Sequence, residues 1–231
     1  MAQNRTKPRM RPDQTLLLAA SAVALASWFV EPLRFVLIPL IYLNTHLHEL
    51  GHAAAAFASG GLAQAIYVYG DGSGQTPVMG GNALLVASAG YVGTALLGGL
   101  FIAMTGNEKG ARHSLLAMGA SLGLSMLFLV RGDGIGLASG LFWTAIAFAS
   151  AKWMKGQALM FLARFLGVQL CLTSAEAFAS LYAASRAGLH SDAAILAGLS
   201  GIPPLVWASG WLILSLAIVV ASLRRAWRSA A

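Results

Sequence analysis

Apolar runs recur along the whole chain, at about residues 15–30, 35–58, 83–104, 114–130, 135–150, 157–183 and 202–222. Each is close to the roughly 17–25 residues that carry an α-helix across the hydrocarbon of a bilayer. The connections are short and polar: "EPLR", "TGNEKGARH", "RGDG", "AKWMKGQ" and "SRAGLHSDAA". Lipid offers the backbone no hydrogen bonds, so only helices or closed barrels cross it. The pattern predicts an all-α polytopic membrane protein with six to seven transmembrane helices. Composition agrees, since only 10% of the 231 residues are charged, against about 25% in a soluble domain.

No connection is long enough to separate two domains, so residues 15–222 read as a single membrane-embedded domain between basic tails, 1–14 and 223–231. The net charge of +7 comes largely from Arg5, Lys7, Arg9 and Arg11 at one terminus and Arg224, Arg225 and Arg228 at the other. Basic clusters beside apolar segments point to anionic lipid and to topology, not to nucleic acid. The basic front and first apolar run also have the outline of a signal peptide, with Ala24-Leu25-Ala26 as a passable cleavage site. That run is long for the purpose and leads straight into another, so it reads as a retained span. Cys171 is the single cysteine and lies in an apolar run, which makes it an inert core residue. The expected setting is a multi-pass protein of the bacterial inner membrane; oligomeric state is open.

Residues 63–82, "AQAIYVYGDGSGQTPVMGGN", break the helical pattern. Ile66 and Val68 alternate with Tyr67 and Tyr69 ahead of an Asp-Gly turn, which predicts a small membrane-adjacent β-hairpin. Its edge, at Tyr67, Val68 and Tyr69, could receive an extended peptide by strand addition. The alternative is a loop that caps the bundle. "SAGYVGTALLGG", residues 88–99, spaces small residues four apart and reads as a close helix-packing face.

His48-Glu49-Leu50-Gly51-His52 is an H-E-x-x-H motif inside an apolar run. Ionisable side chains at membrane depth are costly and mark function by default. On a helix, His48 and His52 share one face and can bind one zinc, while Glu49 is placed to act as general base on water. His46 lies on a different face and reads as a polar neighbour. A hydrogen-bonded structural cluster is the alternative.

"HELGHAAAAFASGG", "IYVYGDGSGQT" and "ASAGYVGTALLGG", with "SDAAILAGLSGIPPLVWASGW" and "LFLVRGDGIG", resemble the site-2 protease family of intramembrane zinc metallopeptidases, closest to its compact bacterial and plant branch. The resemblance runs from about residue 40 to 220. It implies a zinc enzyme that cleaves membrane-anchored or membrane-associated proteins within or near the bilayer. A catalytically silent scaffold and an ion transporter are the other classes.

A catalytic zinc takes three protein ligands and keeps an open position. Of the eight acids, Asp133, Glu176 and Asp192 remain as candidates for the third. The larger site-2 proteases resemble this chain at Asp133-Gly134, and the compact branch resembles it at Ser191-Asp192-Ala193. With seven spans, the amino terminus falls on the hairpin side. That side then carries six basic residues (Arg5, Lys7, Arg9, Arg11, Arg131, Arg186), against eight opposite. A positive-inside count prefers residues 114–150 as one broken crossing, which brings the termini together and sends Asp192 to the far face. Asp133 is compatible with both topologies, so sequence reasoning leans to it.

Overall fold

The computed structural model describes residues 10–187 and 191–228, and these are mostly helical. The helices are α1 (Pro12–Phe29), α2 (Leu37–Ala58), α3 (Ala83–Met104), α4 (Glu108–Phe128), α5 (Gly134–Trp153), α6 (Gly156–Ala187), α7 (Asp192–Ser200) and α8 (Pro204–Arg228). The seven apolar runs coincide with α1 to α6 and α8. α7 is the addition, lying where a connection was expected. α3, α5, the Gly156–Ser174 part of α6, and α8 are long and apolar enough to cross a membrane. Residues 1–9 of the basic amino-terminal tail lie outside the described residues, as do 229–231 of the carboxyl-terminal one.

Helix starts follow local chemistry. Asn82 and Asn107 cap α3 and α4 by accepting from the N–H groups of Leu85 (3.1 Å) and Gly110 (2.8 Å). α7 stops at Gly201, at φ 74°, and α8 opens on Pro204, the residue types that suit those two positions.

α4 and α5 form an antiparallel pair. Arg112, in the first turns of α4, donates to the Met154 carbonyl that ends α5 (3.1 Å). At the other end of the pair Gly140 lies against Met126. Residues 114–150 are therefore two helices and a turn, not the single broken crossing that charge counting preferred.

The break lies nearer the amino terminus. α1 runs with α6: Arg164 donates to the Asp13 carbonyl, and Gln169 to Ser27 Oγ (2.8 Å). α6 runs against α3, with Gly167 on Phe101 and Cys171 on Gly98. α3 in turn runs against α2, with Val86 at His52 and Asn82 at Ser59. α1 and α2 therefore point the same way, joined by the 3-10 segment Glu31–Val36. This arrangement puts the start of α1 beside the end of α8, where Arg11 and Gln14 both donate to the Trp227 carbonyl (2.8 and 3.3 Å). Cys171 is buried in the apolar cluster that α1, α6 and α8 share, as expected.

Two small sheets cover the end of the bundle where α2 stops and α3 begins. β1 (Leu62–Ala63) pairs with β4 (Val78–Met79). β2 (Ile66–Val68) lies between an antiparallel β3 (Gly74–Gln75) and a parallel β5 (Val130–Gly132). β2 and β3 are the expected hairpin, and its alternation is as expected too. Ile66 and Val68 are wholly buried, while Tyr67 and Tyr69 stack outside with ring centroids 6.2 Å apart. The edge was misplaced, however. β2 has partners on both sides, so Tyr67 and Val68 lie in the centre of their sheet and offer no open backbone.

Candidate metal centre

Three faces of α2 have three uses. Tyr42, Thr45 and Glu49 share one stripe and bind the hairpin. Tyr42 donates to the Gly70 carbonyl and Thr45 Oγ1 to that of Gly72 (2.8 Å), while Thr76 Oγ1 donates to Glu49 Oε2 (2.6 Å). Asn44, His48 and His52 line a cleft of about 1110 Å³ between the hairpin, α3, α6 and α7. His46 turns to α5, where its Nε2 lies 3.1 Å from both the Gly136 carbonyl and Ser139 Oγ. It is the polar neighbour that its face suggested.

The two imidazoles meet edge to face, with centroids 4.7 Å apart. His52 Nδ1 lies 2.6 Å from the Val86 carbonyl of α3. A carbonyl only accepts, so Nδ1 carries a proton, and in the neutral ring that leaves the Nε2 lone pair for a metal. His48 rests on Tyr91, whose ring stacks on Trp211. Gly90 faces both histidines. A Cβ there would overlap the His48 ring and stand 2.6 Å from His52 Nε2. The absence of a side chain at Gly90 keeps the space between the rings clear, a role that helix packing alone did not reveal in "SAGYVG".

Asp192 reaches the same space from α7. Its Oδ2 lies 3.6 Å from His48 Nε2 and 3.4 Å from His52 Nε2. Ser191 takes the capping position, its Oγ accepting from the Ala194 N–H (3.2 Å), which leaves the Asp192 carboxylate free to turn inward. The Glu49 carboxylate is close as well: it and the two histidines offer ligand atoms within 4.8 Å of one another.

Asp133, towards which sequence reasoning leaned, is engaged elsewhere. Its Oδ1 accepts from the N–H groups of Ile135 (3.0 Å) and Gly136 (2.8 Å), and its Oδ2 from Gly70 (2.6 Å). It caps α5 and pins the hairpin turn. Those amides, that of Gly136 first, hold its carboxyl below the usual carboxylate range. Asp71 likewise serves its own turn, with Oδ1 accepting from Ser73 N–H and Oγ. The Glu176 side chain lies outside the described residues.

The donors fit zinc. Two ligands about 2.0–2.2 Å from a tetrahedral ion stand about 3.3–3.6 Å apart, and the Asp192 contacts to the two Nε2 atoms have that spacing. Two imidazole nitrogens and a carboxylate are a donor set of the catalytic type, with room for water or substrate.

Residues 17–222 match the Peptidase M50B-like family. The chain belongs to that family, the site-2 protease family. Peptidases of this class are zinc-dependent in general. The M50B-like span contains His48, Glu49, His52 and Asp192 together with the helices that carry them. Comparison with curated proteins and with solved structures gives no match. Membership and the apolar helices together make the chain a membrane protein of a metallopeptidase family.

Proposed function

We propose that the chain is an intramembrane zinc metallopeptidase in which His48, His52 and Asp192 hold the metal and Glu49 is the general base. The observation that carries this reading is the convergence of Asp192 Oδ2 on both Nε2 atoms at the spacing of a tetrahedral site. When bound, zinc supplies a Lewis acid that acidifies water and polarises a peptide carbonyl. Glu49, oriented by the Thr76 hydroxyl, takes a proton from water as the water oxygen joins the carbonyl carbon. The same carboxyl then delivers that proton to the leaving nitrogen as the C–N bond breaks. The products are a new carboxyl and a new amine.

The substrate is a membrane-anchored or membrane-associated protein, presented as an extended strand. The open strand beside the cleft is β3, not β2. A Cβ at Gly74 would stand 2.6 Å from Glu49 Oε1, so a peptide paired along Gly74–Thr76 passes close to the base. Tyr69 lines the same cleft, while Tyr67 and Val68 support the sheet from behind. In the bilayer, α1, the 3-10 segment and α2 act as one broken passage. With α3, α4, α5, α6 and α8 they make six crossings, in a setting such as the bacterial inner membrane.

The test is zinc content together with cleavage. Purified protein should carry about one zinc per chain, as a catalytic site of three protein ligands does, and Glu49→Gln should keep that zinc yet stop cleaving a membrane-anchored reporter. Undiminished cleavage by Glu49→Gln overturns the base assignment. Full zinc content after His48→Ala with His52→Ala overturns the metal site.

A further inference from the structure

Asn44 is a polar side chain of the cleft that neither the metal nor the base requires. It lies four residues before His48 and eight before His52, so the three follow one another along α2 and line the same cleft. A carboxamide in an apolar helix is costly unless its groups are paired. Here the pairing is half complete. Thr173 Oγ1 of α6 donates to Asn44 Oδ1 (2.9 Å), while Asn44 Nδ2 has no hydrogen-bond partner among the described residues. A tie between the two helices does not need this amide. The Thr173 hydroxyl also lies 2.9 Å from the Gln169 carbonyl and 3.2 Å from that of Leu170, and such carbonyls of its own helix satisfy a threonine alone. What the contact does is fix the carboxamide. With Oδ1 held by α6, the N–H groups of Nδ2 are left for the cleft.

The hairpin sets where a peptide lies relative to that amide. β3 runs along α2 in the same direction. Thr45 donates to the Gly72 carbonyl, a Cβ on Gly74 would stand 2.6 Å from both Thr45 Cγ2 and Glu49 Oε1, and Thr76 donates to Glu49. The hairpin thus covers the stripe of Thr45 and Glu49. The neighbouring stripe of Asn44, His48 and His52 is the floor beside its open strand. A chain added to β3 pairs with it along one edge only. The backbone groups of its other edge point across the cleft with no strand to meet them, and leaving them unpaired away from water is costly. Asn44 and His48 are one helical turn apart, about 6 Å along the axis. That is the length of about two residues of extended chain.

We infer that Asn44 is a substrate-binding residue: its Nδ2 donates to a backbone carbonyl on the outer edge of the bound peptide, about two residues from the bond that is cut. Thr173 is the positioning residue that orients the amide. The contact reads the backbone and not a side chain. A helical segment, whose carbonyls are already paired, cannot make it. The assignment rests on the metallopeptidase reading.

The experiment measures binding and cleavage separately. Full-length, zinc-loaded Glu49→Gln protein is titrated with a fluorescent peptide carrying the cleavage segment of the membrane-anchored reporter. Adding Asn44→Ala should weaken binding roughly 3- to 10-fold, the loss of one hydrogen bond. In the enzyme with Glu49 intact, Asn44→Ala should raise KM by a similar factor and leave kcat nearly unchanged. The contact lies away from the bond that breaks, so it is present equally before and during the reaction. Asn44→Asp keeps an oxygen for Thr173 but has no N–H to donate, and it should bind no better than Asn44→Ala. Thr173→Val should weaken binding in the same direction, and Thr173→Ser should restore it. Zinc content should stay at the wild-type level throughout. Unweakened binding by Asn44→Ala or Asn44→Asp overturns the proposal, as does a defect confined to kcat or a loss of zinc. Serine at 173 no better than valine overturns the role of Thr173. The titration needs no cleavage, so the two readings fail separately. Unaltered binding and KM in Asn44→Ala leave the peptidase standing without the contact, whereas undiminished cleavage by Glu49→Gln counts against the base and not against Asn44.

Discussion

Two helices of this bundle start on an aspartate, and the two aspartates do opposite things. At the start of α5, Asp133 is itself the cap, and its two oxygens accept from three backbone N–H groups. At the start of α7, Ser191 is the cap and Asp192 the first helical residue, so the acid is not needed by its own backbone. Its carboxylate instead faces two imidazoles. A one-residue difference in where the acid sits relative to the cap separates a structural aspartate from one available to a metal.

The comparison is most exposed to zinc content. Asp192→Ala should lower zinc affinity by more than the roughly 10–100-fold that loss of a ligand's outer partner costs, while Asp133→Ala should keep full zinc stoichiometry and lower the unfolding temperature. Metal analysis beside thermal unfolding decides it, and the opposite pattern would reinstate Asp133 as the third arm. A smaller effect is expected at the cap. Ser191→Ala should destabilise α7 by about 0.5–2 kcal/mol and weaken zinc binding only to the extent that α7 frays. A loss of zinc as complete as that of Asp192→Ala would make Ser191 a direct participant. The smallest effect concerns acid. The folded pKa of Asp133 is depressed, so its contribution is present above its unfolded value, about 4, and is lost as pH falls through the lower folded value. Wild-type protein should therefore lose melting temperature more steeply on acidification below about pH 4 than Asp133→Asn does, since asparagine still caps α5 through its one carbonyl oxygen but does not titrate there. Parallel curves would mean that the charge of Asp133 is not what the amides hold.

What could be read from sequence follows the range of the interaction. The apolar runs and the hairpin are local patterns, and both became elements close to where they were expected. His48, Glu49 and His52 stood out because ionisable groups in an apolar helix are rare unless they are used. Direction is not local. Nothing in residues 15–58 says that α1 and α2 run the same way, because that is set by Arg164, Gln169 and Trp227, far along the chain. Nor did β5 have a strand signal of its own: Val130 pairs with Ile66 across 64 positions, and three residues are too few for a periodicity. Asp133 and Asp192 looked alike because which atom caps a helix is decided by side-chain geometry. The serine directly before Asp192 was the available clue.

The two halves of the metal site are made at different times. His48 and His52 lie on the second helix, and Asp192 follows His52 by 140 positions, on the seventh. Chains leave the ribosome amino terminus first, so both imidazoles and the base are in the membrane well before the carboxylate that completes the set. During that interval the nascent chain has Glu49 and both histidines but not the full set of residues proposed to hold the metal. On the proposed reading, catalytic competence therefore waits until α7 has docked.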